Sequence, residues 1–248
     1  MPKLSVLITT YNEEDCIAQC LESVWPVADQ VVVVDSFSTD NTPALVTESG
    51  ATLFQREYPG PGKQKNWGIE QCTHPWILSV DADETLDSTL VEWLLQWKEM
   101  PCEPGHYTIR RINYFKGKRV RFSGWQTDRI NRLFSAEKRF TEVNVHEKLA
   151  DCPRLSPVPG ALLHHTFKSE LHYRQKIQRY AREQALDYQH KTGRITLYHL
   201  WLKPIFRFVK HYVLRGGILD GTIGLDIACY SFLAVRWRYT ELLKLRKS

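Results

Sequence analysis

The chain has 248 residues, 43% hydrophobic and 12% aromatic, with 33 Lys and Arg against 28 Asp and Glu. Such a chain forms one large globular domain, or one domain with a substantial appendage. Its net charge of +5 is compatible with an anionic substrate or an acidic membrane surface; with bases and acids intermixed, it is too small for a surface that tracks nucleic-acid phosphates.

The first hundred residues alternate strand and helix signals. Residues 4–10 predict a strand. Asn12 then reads as a helix N-cap, followed by Glu13, Glu14 and Asp15 in a first turn where acids favour the dipole. Ile17, Cys20, Leu21, Val24 and Trp25 recur at helical spacing. Four valines at 31–34 mark a strand covered on both faces, which ends at Asp35 and leads through the polar "SFSTDNTP" into another helix. Residues 51–55 and 76–80 predict the third and fourth strands. This βαβαβ rhythm implies an α/β fold with a mostly parallel sheet flanked by helices.

From about residue 101 the texture changes. "HYTIRRINYFKGKRVRFSGWQ" alternates like a hairpin around Lys116-Gly117-Lys118, and an aromatic, basic region runs on to 168. From 170 the chain turns helical, with Tyr173, Ile177, Tyr180, Ala181 and Gln184 on one face. The expected division is a catalytic domain over 1–168, with halves 1–100 and 101–168, and a helical extension over 169–248.

Six cysteines (Cys16, Cys20, Cys72, Cys102, Cys152 and Cys229) lack CxxC pairing and suit reduced thiols of a cytosolic protein. The first residues carry too short an apolar run for a signal peptide. "ILDGTIGLDIACYSFLAV" is interrupted by Asp220, Asp226 and glycines, which argues against a membrane span.

In open parallel sheets, ligands bind at the carboxyl ends of the strands. Those ends carry Thr9, Thr10, Tyr11, Asn12 and Glu13; then Asp35, Ser36, Ser38, Asp40 and Thr42; then Asp81, Asp83 and Glu84. Carboxylates this close repel unless a cation or a proton lies between them. Asp81 and Asp83 bracket a small alanine, so both could reach a hard divalent ion, Mg2+ or Mn2+, completed by phosphate oxygens. Neither GxxxxGK[ST] nor GxGxxG occurs.

The stretches "VLITTYNEE", "VVVVDSFSTDNT", "GPGKQKNWGIE" and "ILSVDADE", in that order across residues 4–84, resemble the motif series of family 2 glycosyltransferases, which have a GT-A fold. The later "GW…D…NRLF", "VHEKL" and "LHHTFKS" resemble one branch, the lipopolysaccharide-core glucosyltransferases of the WaaE/KdtX type. The resemblance implies an inverting, metal-dependent enzyme that moves glucose from UDP-glucose to an inner-core heptose. It implies that Thr10, Tyr11, Glu13 and Asp35 line the nucleotide pocket and that Lys63, Gln64 and Asn66 lie over the nucleotide and its phosphates. Asp81 would face ribose and metal, and Asp83 would ligate the metal.

The general base such a transferase needs matches Glu147 first, Asp128 second and Glu142 third. His164 and His165 end an apolar pair in "ALLHH"; His165 is the candidate third metal ligand. Arg129, Arg132, Arg174 and Lys176 are candidate phosphate contacts. Three other readings share the pattern: transfer to a polyprenyl phosphate, a nucleotidyltransferase, and a non-catalytic membrane-docking module.

In "HLWLKPIFRFVKHYVLRGG", Lys203, Arg207 and Lys210 fall on one helical face, and Trp201, Ile205, Phe208, Val209 and Tyr212 on another. A basic, aromatic amphipathic helix suits an anionic membrane interface. The expected partners are thus a nucleotide-sugar donor and a lipid-linked oligosaccharide acceptor. The expected location is cytoplasmic, peripheral on the inner face of the bacterial inner membrane.

Overall fold

The structure, a computed structural model, describes residues 2–101, 105–142, 147–149, 157–165 and 170–246, with the backbone alone at 170–173, 175 and 176. It divides into two compact units: Met1–Arg111 with Arg129–His164, and Ile112–Asp128 with His165–Ser248. The division expected at residue 168 had kept 112–128 with the catalytic part.

In the first unit, strands β1 (Leu4–Thr10), β2 (Gln30–Asp35), β3 (Thr52–Gln55) and β4 (Trp76–Asp81) alternate with helices α1 (Ile17–Val24), α2 (Thr42–Glu48) and α3 (Pro61–Glu70). The chain continues through β5 (Glu84–Leu86), α4 (Ser88–Trp97) and β6 (His106–Phe115), which runs on into the second unit. After β7 (Lys118–Arg119) come β8 (Arg129–Ser135) and β9 (Ala161–His165). The strand order is β3-β2-β1-β4-β8-β6-β9-β5, with β7 paired to β6. The β3-β2-β1-β4 half is parallel, and β4–β8, β6–β8 and β5–β9 pair antiparallel.

Why the early strands are apolar throughout follows from the packing. Leu4, Val6 and Ile8 of β1 face a core with Ile17, Leu21 and Val24 of α1 and Leu90, Leu94 and Trp97 of α4. The intervening Leu7 faces the opposite core with Val32, Val34, Ile77, Phe134 and Ile69 of α3. A strand covered on both sides has no polar face to alternate with. Helix α3 begins at Pro61, whose fixed φ suits a first helical position. It packs so closely that a Cβ on Gly68 would meet Leu7 Cδ1 at 2.5 Å. That approach lays the next inward residue toward the N-terminus, Lys65, over the edge of the sheet.

One local expectation is corrected. Helix α1 starts at Ile17, with no acid in its first turn, and Asn12 does not cap it. Asn12 instead adopts φ 54°, a left-handed conformation that asparagine tolerates. Its Oδ1 accepts from Thr39 N at 2.8 Å, and its own N–H donates to Ser38 Oγ at 2.8 Å. The side chain thus ties the end of β1 to the loop after β2.

The second unit is helical: α5 (Glu170–Tyr188), α6 (Lys203–Val209) between π-helical turns Tyr198–Leu202 and Lys210–Leu214, a 3-10 turn Gly217–Asp220, and α7 (Thr222–Leu245). Ile177 of α5 packs with Phe115, Val120, Ile223, Ile227 and Tyr230. Tyr173, expected on the same face, has its side chain outside the described residues. The acids that interrupt the apolar run have internal partners. Asp220 accepts from the N–H groups of Arg121 and Phe122, both at 3.0 Å, and from Ser123 Oγ at 2.9 Å. Asp226 pairs with Lys116 at 2.8 Å.

Candidate active site

Register aligns the strand ends. Thr10 of β1 stands opposite Asp35 of β2, and Thr9 opposite Asp81 of β4. The polar groups at the carboxyl edge of the sheet are therefore neighbours by construction, all within the first unit.

Asp81 closes β4, and Ala82 and Asp83 turn the chain into β5. The carboxylate of Asp81 is gripped by cations: both guanidinium nitrogens of Arg132 reach it, and Lys65 Nζ lies 3.4 Å from Oδ1. Burial opposes ionisation there, but Arg132 and then Lys65 outweigh it and hold the carboxyl well below the usual range. Glu84 is completely buried; it accepts from Asp81 N at 3.1 Å, from Arg132 at 3.1 Å and from Arg111 at 3.5 Å. Its carboxylate is thus engaged by the two arginines from inside the core. Burial works against the Arg132 charge, yet Asp81 and Glu84 raise its pKa above the ordinary value.

Lys65 is buried and makes a second, tighter pair with Glu147 Oε1, at 2.6 Å. Three features locate Glu147. Phe140 bridges Leu149, Thr141 N donates to Lys148 O at 2.8 Å, and Lys148 N donates to Thr141 Oγ1 at 3.0 Å. This ribbon is fastened to α3 by Asn66, which donates to Phe140 O at 2.9 Å and accepts from Phe140 N at 2.7 Å. Gly62, one turn earlier, touches it so closely that a Cβ would overlap the Thr141 carbonyl. Residues 143–146 of the "VNVHEKL" stretch lie outside the described residues.

On the other side of the turn, His164 Nε2 lies 3.3 Å from Asp83 Oδ2. Strand pairing causes this, since His164 is opposite Glu84 in the β5–β9 register. A carboxylate and an imidazole converging in this way are two donors that Mg2+ or Mn2+ accepts. Among the described residues no three or more His, Cys, Asp or Glu side chains converge as a metal cage. The donor set therefore fits an ion that takes its remaining ligands from a bound phosphate and water.

The nucleotide candidates divide. Asp35 is completely buried and spends its carboxylate on the Ser38 N–H (2.9 Å), the Ser38 hydroxyl and Gln55 Nε2 (2.9 Å), shaping the loop after β2. Gln64 Nε2 donates to Ser36 Oγ at 3.2 Å. Among the described residues Gln64 Oε1 and Thr10 Oγ1 are buried with no hydrogen-bond partner, as groups that meet a ligand would be. Tyr11 is exposed, and Glu13 N donates to Thr42 Oγ1 at 2.9 Å. Lys63 points outward on α3, while Lys65 takes the inward position.

Asp128 and His165 belong to the second unit, where Asp128 accepts from Asn113 at 3.1 Å and His165 stacks on Tyr114 at 4.8 Å. Glu142, Arg129 and Arg174 are exposed, and the Lys176 side chain lies outside the described residues.

Residues 5–150 match the family model of glycosyl transferase family 2. The chain belongs to that family. The family 2 chain is 31% identical over 253 residues to the lipopolysaccharide core biosynthesis glycosyltransferase LpsC of Rhizobium meliloti, covering 94% of this chain and 91% of LpsC. An uncharacterized glycosyltransferase of Rickettsia felis is 26% identical over 261 residues, covering 100% of this chain and 91% of its own length. Among solved structures, the mannosyltransferase PcManGT of Pyrobaculum calidifontis, in complex with GDP-Man and Mn2+, superimposes with a TM-score of 0.55. That match has 17% identity and covers 98% of this chain and 87% of the other; at that identity it speaks to the fold alone, which is GT-A-like. The family 2 chain is thus a glycosyltransferase, and it takes a nucleotide-sugar donor and a glycan acceptor.

Sequence reading missed the part played by Lys65 and Glu84, and saw Arg132 only as a phosphate contact. Signals existed. Lys65 falls three residues after Gly62 and three before Gly68, on the face of α3 that packs inward, and Arg132 directly precedes the buried Leu133 and Phe134. A cation at an inward position predicts a buried anion for it to meet.

Proposed function

We propose that this family 2 transferase moves glucose from UDP-glucose to a hydroxyl of a lipopolysaccharide inner-core heptose, inverting the anomeric centre, with Mg2+ or Mn2+ bound. The observation that carries the reading is the shared cation. Glu147, the matched base position, and Asp81, of the acidic triplet, meet on one lysine at the carboxyl edge of the sheet. The name of LpsC supports a core oligosaccharide acceptor. Such an acceptor is lipid-linked, so the reading includes peripheral contact with the membrane that carries it.

In this reading the nucleotide lies along Thr10, Tyr11 and Gln64, over the loop that Asp35 shapes, and Thr10 Oγ1 and Gln64 Oε1, which have no partner among the described residues, find partners on it. Asp83 and His164 hold the divalent ion, which, when bound, acts as a Lewis acid toward the charge growing on the leaving diphosphate. Glu147 takes the proton of the acceptor hydroxyl as its oxygen attacks the anomeric carbon from the face opposite the leaving group. Lys65 aims that carboxylate, and Arg132 fixes Asp81. Glu147 is preferred to Asp128 as base because it shares a cation with Asp81.

The test is nucleotide release by the purified protein across UDP-sugars and GDP-mannose, with Mn2+, Mg2+ or chelator, and with or without a heptose-containing core acceptor. The expected result is metal-dependent, acceptor-stimulated UDP release from UDP-glucose, lost in Asp83→Ala and lowered about 10²–10⁴-fold in Glu147→Gln. Release from GDP-mannose instead would overturn the donor. Full activity of Glu147→Gln would favour a phosphate acceptor, such as a polyprenyl phosphate, which needs no base.

A further inference from the structure

The second unit wears its hydrophobic face outward. The helical stretch 198–214 buries Pro204 and His211, and Lys203 Nζ donates to Tyr239 OH of α7 at 3.0 Å. On the opposite side Leu202, Phe206, Val213 and Leu214, followed by Ile218 and Leu219 of the next turn, are each 57–69% exposed. Of the 21 large hydrophobic side chains exposed among the described residues, 12 fall between residues 197 and 225. Isolated exposed apolar residues need no explanation, but a concentrated stripe of this kind marks an interaction surface. Of the face expected from sequence, Trp201, Ile205 and Val209 are exposed, while Phe208 and Tyr212 are half-buried.

The occupant is indicated by charge. Residues 188–219 contain Lys191, Arg194, Lys203, Arg207, Lys210 and Arg215 and not one Asp or Glu, while the rest of the chain has 27 bases against 28 acids. The entire net positive charge of the protein therefore lies in the segment that bears the stripe. Among the described residues no helix is long and apolar enough to cross a membrane. A 17-residue helical stretch, about 25 Å long, with lipophilic side chains outward and bases beside them, has the chemistry of an interfacial element lying in the plane of an anionic bilayer.

We propose that the 197–219 surface is a docking face for an anionic phospholipid bilayer, into which Leu202, Phe206, Val213, Leu214, Ile218 and Leu219 insert while Arg207 and Lys210 pair with lipid headgroups. This deepens the peripheral contact in the functional reading above and rests on it for its purpose, but its test needs neither donor nor acceptor.

Flotation of the full-length protein would be measured with vesicles of phosphatidylcholine alone and of phosphatidylcholine mixed with phosphatidylglycerol. Binding is expected to the anionic vesicles and to weaken with salt. At about fivefold per basic residue near an anionic surface, Arg207→Gln with Lys210→Gln lowers the partition coefficient about twenty-five-fold. Phe206→Glu with Val213→Glu abolishes binding; these side chains are exposed, so an unchanged far-ultraviolet dichroism spectrum is expected for both pairs. Failure to float, or flotation indifferent to both variant pairs, would overturn the proposal. So would a concentration-dependent dimer in solution that Phe206→Glu dissociates, since a second copy would then cover the stripe. A protein that transfers sugar without floating would sink only the docking face. One that floats but turns over no donor would leave the docking face standing and sink the glucosyltransferase reading.

Discussion

Lys65 Nζ and Glu147 Oε1 lie 2.6 Å apart, with side chains 7% and 18% exposed. The lysine also reaches Asp81 at 3.4 Å, so one ammonium group fixes the distance between the proposed base and the acidic triplet. Losing it leaves Glu147 without its lysine partner and free to rotate from the acceptor. Lys65→Met should lower kcat about 10²-fold with a smaller change in donor KM, because a misplaced base costs more in the transition state than in binding. Lys65→Arg should recover part of the loss. Steady-state kinetics of both variants decide it; equal losses in kcat would mean that lysine geometry, beyond charge, is required.

Arg132 is the counter-ion of two carboxylates, the completely buried Glu84 and the partly exposed Asp81. Removing one partner from a buried network leaves uncompensated charge and costs about 3–5 kcal/mol, so Arg132→Met should melt about 10 °C lower. Acid stability should change with it. The folded-state pKa of Asp81 is held low by Arg132 against the pull of burial, so Asp81 contributes stability that is complete above its unfolded pKa of about 3.9. That contribution is lost as pH falls through the lower folded value. In Arg132→Met the acid transition followed by circular dichroism should move to higher pH; an unmoved transition would assign acid unfolding to other groups.

Legibility in the sequence follows the range of the interaction. Strands β1 to β4 announce themselves because residues buried on both faces must be apolar over their whole length, and the acids at their ends stand out by contrast. Asn12 misled because a cap and a left-handed turn ask for the same side chain. The ion-pair network was hidden: Lys65, Arg132 and Glu147 are separated by up to 82 residues, and only the sheet's antiparallel return through β8 brings them to one place. Nor could alternation alone choose between His164 and His165, since adjacent strand residues face opposite ways and the choice depends on register with β5.

That register yields the third prediction. His164, 3.3 Å from Asp83, is the proposed metal partner, whereas His165 stacks on Tyr114. His164→Ala should raise the Mn2+ concentration needed for half-maximal activity about tenfold or more, and His165→Ala should leave it within about twofold. Mn2+ binding followed by its electron paramagnetic resonance signal in the presence of UDP gives a readout besides turnover. The reverse ranking would place the ligand on the other face of β9.

The last prediction concerns the second unit alone. His211 is buried, with Nδ1 2.8 Å from Ser123 O and Nε2 without a partner among the described residues. The short contact needs the proton on Nδ1, which leaves Nε2 bare in the neutral ring. Burial pushes its pKa down; the Ser123 carbonyl resists, and Arg207, Arg215 and Lys210 add to the depression. The folded pKa thus lies below the unfolded value of about 6.5. Stability from the neutral ring is complete above that value and is lost as pH falls toward the folded pKa, because the unfolded chain binds the extra proton. Thermal unfolding of the parent should therefore show a falling Tm below about pH 6.5, with amide exchange quickening first around 199–220. His211→Gln, which can keep a donor for Ser123 O and does not titrate, should flatten that slope. A slope that survives the substitution unchanged would assign the pH dependence elsewhere.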